Sequence, residues 1–173
     1  MRRTSWFIFG AVGWLAVTCW AGPTWAVEMT DDPNGFQGIT WGTSLTGQPD
    51  LKPVRAGGRF ADYEQNDGPP HLDSIPVEGL KFVALEGKFA RVTIRYRGEA
   101  THKHVIAYLE QRYGPLDKTP GQMVRGLNQQ YNWRGQLTEI NLTYEGQGER
   151  GFVFFDSRKL APLFIDGLTD SSE

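Results

Sequence analysis

The clearest periodicity in the chain lies in FARVTIRYR, residues 89–97. Ala90, Val92, Ile94 and Tyr96 alternate there with Phe89, Arg91, Thr93, Arg95 and Arg97. A period of two predicts a β-strand with one apolar side and one side carrying a row of arginines. Leu80 to Leu85 predicts its partner, joined through a Glu86-Gly87-Lys88 hairpin turn. The period then changes: from Ala100 to Tyr113, Val105, Ile106, Leu109 and Tyr113 recur at helical spacing. Gly114-Pro115 ends that helix, since Gly accepts a left-handed cap and Pro cannot continue the hydrogen-bond ladder.

Four other stretches read as strands: Ile39 with Trp41, Arg59 to Glu64, Gln130 to Arg134 turning at Gly135-Gln136 into Leu137 to Tyr144, and Phe152 to Phe155. Thr138, Ile140, Leu142 and Tyr144 share one face of their strand, and Tyr131 and Trp133 are expected to pack inward. Phe152 to Phe155 is apolar on both faces, as a covered strand would be. Gly42 to Gly58 reads as loop, and NDGPPHLDSIP at 66–76, interrupted by three prolines, as an irregular connection. Ser157 to Phe164 reads as a short last helix, and residues 27–34 and 170–173 as loose ends. Strands joined by tight turns run antiparallel and need one cover. The expectation is therefore an α+β domain: a sheet of about six antiparallel strands with one main helix on one face, a two-layer sandwich.

The first 26 residues change the picture. Arg2-Arg3, an uncharged apolar run from Trp6 to Trp20 and a small-residue end at Thr24-Trp25-Ala26 match a secretory leader cleaved after Ala26. The run is shorter than the ~20 residues that span a bilayer, so no permanent membrane span is expected. Lipidation at Cys19 and twin-arginine export both fit their wider motifs less well. Cleavage leaves a single domain, residues 27–173, placed in the periplasm or outside the cell. It removes the only cysteine and two of 18 basic residues, leaving 16 against 20 acidic, a net of −4. Disulfides and thiol chemistry are then excluded, and so is the basic footprint of a nucleic-acid binder.

Four segments, GFQGITWGTSL, EGKFARVTIRY, YLEQRYG and YNWRGQLTEINLTY, together resemble a group of small exported bacterial proteins of uncharacterised function. The resemblance implies export and a single α+β domain. It implies no active site, because each segment is a packing and turn signature.

Candidate chemistry is sparse. His102 and His104 lie about 200° apart on a helix and cannot chelate one ion, while His71 sits in a proline loop. His102 falls on the buried stripe with Val105 and Leu109, at the edge of the core. GTSLTG at 42–47 only approaches a nucleophile elbow, and no phosphate loop occurs. Asp62, Glu64, Asp67 and Asp73 read as a solvated acidic loop. Trp41, Tyr131 and Trp133 could line a groove but fit the core better. No catalytic residue, metal site or cofactor is assigned.

The remaining lead is the row Arg91, Arg95 and Arg97. It is expected on the face away from the helix, near Glu139, either as a solvated face or as a grip on an anionic ligand or an envelope protein. These features favour an exported, non-catalytic binding or interaction module. The alternatives are a structural accessory of an envelope complex, or a hydrolase with an unrecognised pair of carboxylates.

Overall fold

The computed structural model describes residues 27–55, 57–116, 123–125 and 128–164. The expected leader and the 170–173 tail lie outside the described residues. In chain order the elements are β1 (Val27–Glu28), β2 (Gly35–Phe36), β3 (Ile39–Thr40), β4 (Leu51–Arg55), β5 (Phe60–Gln65), β6 (His71–Leu72) and β7 (Ile75–Pro76). They continue with β8 (Gly79–Leu85), β9 (Lys88–Arg97), α1 (Glu99–Tyr113), β10 (Met123–Arg125), β11 (Asn128–Arg134), β12 (Thr138–Glu145) and β13 (Arg150–Ser157).

One nine-stranded sheet dominates, in the order β1-β11-β12-β13-β9-β8-β5-β4, with β10 also paired to β11. Every pairing is antiparallel except β1 with β11. The hairpins β2–β3 and β6–β7 stand off the sheet. The described residues are mostly β, with 48% strand and 15% helix, and the expected sandwich of six strands under one helix is thereby corrected.

The reason is geometric. The sheet is eight strands across, since β1 and β10 share the outer edge of β11, and at about 4.8 Å spacing it is roughly 34 Å wide. A helix is only about 10–12 Å across, so it shields a fraction of that width. The rest of the apolar face is buried under Phe36 of β2, Leu45, and Leu72 and Ile75 of β6–β7, which join Val105, Leu109 and Tyr113 of α1 in one core. Phe36 and Tyr113 both meet Phe155 from above, with ring centroids 4.9 and 5.8 Å away. Trp133 lies at the far side of this core, fully buried, donating its indole N–H to Gly114 O at 2.9 Å.

Three segments expected to be irregular are ordered, two by local hairpin pairing and one by contacts with distant parts of the chain. Leu51–Arg55 is the edge strand β4, and Pro53 is tolerated there because an edge strand can forgo one N–H donor. His71–Leu72 and Ile75–Pro76 form a hairpin despite Pro69 and Pro70 just before it and Pro76 within it. Residues 27–34 are tied down: Thr30 N–H donates to Tyr113 O at 3.1 Å, and the Asp32 carboxylate accepts the backbone N–H groups of Gln136, Leu137 and Thr138 at 2.6, 2.9 and 2.9 Å. At the other end, β13 runs on to Ser157 and only Pro162–Phe164 is helical.

The alternation read in β9 also has one break. Ala84 pairs with Phe89 but Val83 pairs with Arg91, so Ala90 is an inserted residue in a β-bulge. The insertion flips the parity of everything before it, and Phe89 and Ala90 are both fully buried. Phe89 therefore leaves the arginine side on which its spacing placed it.

Leu109 is completely enclosed between α1 and the sheet. Leu109→Ala should cost about 2–5 kcal/mol. Urea unfolding monitored by circular dichroism measures this, and a loss below about 1 kcal/mol would show that the helix adds little to the cover.

Candidate functional site

The face of the sheet away from the core carries Arg91, Thr93, Arg95 and Arg97 of β9, flanked by Gly79, Lys81 and Val83 of β8 and by Arg150, Phe152, Phe154 and Asp156 of β13. The three arginines share this face but not their circumstances.

Arg91 is committed to the fold. Its Nε and Nη2 donate to the two carboxylate oxygens of Asp156 at 2.5 and 3.1 Å. Its guanidinium also lies between two rings, 5.2 Å from the centroid of Phe154 and 4.5 Å from that of Phe164, where the end of the described chain folds back. Burial pushes the Asp156 carboxyl above its ordinary range; the hydrogen bonds and charge of Arg91 pull it down, Glu139 pushes it up, and burial wins. The expected neighbour Glu139 is one strand further off, engaged by Arg134 at 3.1 Å and by Asn132. Asp156 carried a sequence signal, an acid in step with Phe152 and Phe154, but only the β9–β13 register sets it opposite Arg91.

Arg97 makes an exposed pair with Glu78 at 3.1 Å. The Arg95 side chain has no hydrogen bond or ion pair among the described residues. Its guanidinium rests on Gly79, where an added Cβ would stand 3.3 Å from Nη2. It lines a cleft of about 330 Å³ together with Lys52, Glu64, Gln65, Glu78, Lys81 and Thr93.

That cleft exists because two strands part. β5 and β8 are paired only from Phe60↔Leu85 to Tyr63↔Phe82. Beyond Tyr63, β5 stays with β4, through Glu64↔Lys52 and Gln65↔Leu51, while β8 stays with β9. The gap between them opens over Gly68 and Pro70. Three cations and two carboxylates line it, and Glu78 is taken by Arg97. Lys52, Gly79 and Lys81 carried no distinguishing pattern in the sequence, because their nearness to Arg95 arises from pairing across four strands.

The other residues singled out from the sequence are structural. Asp62 is buried, with Arg55 at 3.1 Å and Lys81 at 3.9 Å. Asp67 is exposed, and Asp73 occupies the left-handed turn of β6–β7 at φ 54°. Residues 42–44 continue the sheet alongside Phe89, through Gly42 N–H to Phe89 O and Phe89 N–H to Thr43 O, both 2.8 Å. Trp41 donates to Thr138 Oγ1 at 2.7 Å, and Tyr131 and Trp133 are buried. His71 and His104 are exposed and apart. Among the described residues no group of three His, Cys, Asp or Glu is placed to hold a metal, and no helix is long and apolar enough to cross a membrane.

His102 is buried in a polar network that the sequence placed only at the edge of the core. Its ring stacks on Tyr144 at 3.8 Å, its Nε2 lies 3.1 Å from Gln129 Oε1, and its Nδ1 lies 2.7 Å from Tyr96 OH. A carbonyl oxygen can only accept, so Nε2 carries the proton and Nδ1 accepts from Tyr96. Tyr96 reaches this position because Gly151, its cross-strand partner, has no side chain; a Cβ there would overlap the phenol ring. Burial lowers the His102 pKa from 6.5, against an opposing pull from Gln129 and Glu99.

Comparison of the chain with protein-family models, curated proteins and solved structures found no match in any of the three.

Two predictions follow from these contacts. Arg91→Ser strands the buried Asp156 carboxylate and should cost about 1–3 kcal/mol, whereas Arg97→Ser should cost about 0–1 kcal/mol. Thermal melts of the two variants compare them directly, and equal costs would refute the division of the row. For His102, the unfolded imidazole takes up a proton near pH 6.5, while the folded one resists until lower pH. The unfolded chain therefore binds more protons in that window, and stability, intact above pH 6.5, should fall as pH drops below it. Melting temperature measured from neutral to mildly acidic pH should show this slope, and His102→Gln should flatten it.

Proposed function

We propose that this chain is an exported, non-catalytic binding module of the periplasm or cell exterior, which takes an anionic ligand or the anionic group of an envelope partner on the open face of its sheet. The observation that carries the reading is the state of Arg95. Of the three arginines, Arg91 and Arg97 spend their charge on Asp156 and Glu78, while Arg95 stands unpaired beside a cleft that also receives Lys52 and Lys81. A planar guanidinium with free donors, held on a rigid strand, suits bidentate recognition of a carboxylate or phosphate. The leader-like N-terminus supports the location.

The proposal narrows the ligand grip from the whole row to Arg95. Arg95→Ser should leave the melting temperature within a few degrees of the parent, since it removes no ion pair. Retention on isolated envelope material should drop sharply in Arg95→Ser but not in Arg97→Ser, and retention of the parent protein should fall as salt rises. Equal retention of Arg95→Ser and the parent overturns the proposal.

A further inference from the structure

We infer that the cleft between β5 and β8 is built for a small zwitterion of amino-acid or dipeptide size, with its carboxylate on Arg95 and its ammonium group on Glu64. This deepens the binding-module reading and rests on it.

The argument begins with a rung that is missing from the sheet. If the pairing of Tyr63 with Phe82 continued, Glu64 would stand opposite Lys81, an ordinary cross-strand ion pair. The strands separate there instead. Lys81 leans back toward Asp62 at 3.9 Å, and the Glu64 carboxylate is left with no hydrogen bond or ion pair among the described residues. The ammonium group of Lys52, directly across from Glu64 on β4, makes none either among the described residues. The cleft thus keeps a free carboxylate on the β5 wall and a free guanidinium on the β8 wall, resting over Gly79. Opposite charges so arranged discriminate in both directions. A simple anion meets Glu64, and a simple cation meets Arg95, Lys52 and Lys81. A molecule with both charges satisfies both walls through charge-assisted hydrogen bonds. The cleft volume of about 330 Å³ is at the small end of ligand pockets, which suits a ligand of one or two residues rather than a long chain. Thr93 adds a hydroxyl for a peptide group in the same lining.

Gly79 gives this arrangement its own signature. A methyl group at position 79 would press on the flexible end of Arg95, not on backbone, so Gly79→Ala should shift the guanidinium without unfolding the sheet.

The test is calorimetric titration of the exported protein with alanyl-alanine, its N-acetylated form and its C-terminal amide. Blocking either end should weaken binding about tenfold or more, the usual consequence of losing one charge-assisted contact. Glu64→Gln should abolish the penalty for N-acetylation, Arg95→Ser the penalty for amidation, and Gly79→Ala should weaken the dipeptide while leaving the melting temperature near that of the parent. If the acetylated dipeptide binds the parent protein as tightly as the free one, or if no dipeptide binds while envelope material is still retained through Arg95, the zwitterion inference falls and the binding-module reading stands. If no dipeptide binds and retention is also indifferent to Arg95, both fall.

Discussion

A sheet of nine strands with a single apolar face has to be covered across its whole width, and most of the structure answers to that constraint. One helix of 15 residues closes only the middle. The remaining cover is assembled from pieces with almost no secondary structure of their own: the two-residue strands β2, β3, β6 and β7 and the segment around Leu45. Such pieces cannot hold themselves in place, so they are tethered. Asp32 grips three backbone N–H groups at the β11–β12 turn, Thr138 Oγ1 donates to Pro33 O and accepts from Trp41, and residues 42–44 hydrogen-bond beside Phe89. The buried His102 network extends the cover to the end of the sheet where Tyr96 and Tyr144 lie.

The opposite face shows how little residue type alone decides. Arg91, Arg95 and Arg97 stand on one face of one strand, yet they end in three states. Each outcome depends on what the neighbouring strand presents: Asp156 beside Arg91, a bare Gly79 beneath Arg95, and Glu78 in the connection leading into β8 beside Arg97. A buried carboxylate makes its partner structural, because removing that partner would leave a charge without solvent. An exposed carboxylate contributes little to the fold, and an arginine with neither is available to a ligand.

The fork between β5 and β8 is the other consequence of sheet geometry. β5 is shared between β4 and β8, and past Tyr63 it follows only β4. The opening faces side chains from four strands and holds apart charges that flat pairing would have neutralised. A cleft of this origin is walled by strands, with only Gly68 and Pro70 of the β5–β6 loop added to its lining.

By itself the sequence determined the elements whose signal is local. The period of two in β9 and β12, the helical spacing of Val105, Leu109 and Tyr113, the Gly114-Pro115 stop and the inward side of Tyr131 and Trp133 all follow from the repeat of side chains along a strand or helix. Tertiary structure decided whatever depends on which strand lies alongside. The strand at Leu51–Arg55, with a proline inside it, exists because β5 offers it a partner and is itself anchored to β8. The bulge at Ala90 sends Phe89 to the core because β8 has one residue fewer at that point. Asp156 reaches Arg91, and Lys52, Glu64 and Lys81 come near Arg95, only through registers spanning up to 65 residues of chain. Local periodicity says which side of a strand a residue occupies. It carries no record of which strand lies alongside, and that neighbour separates an arginine that holds the fold from one left open to a ligand.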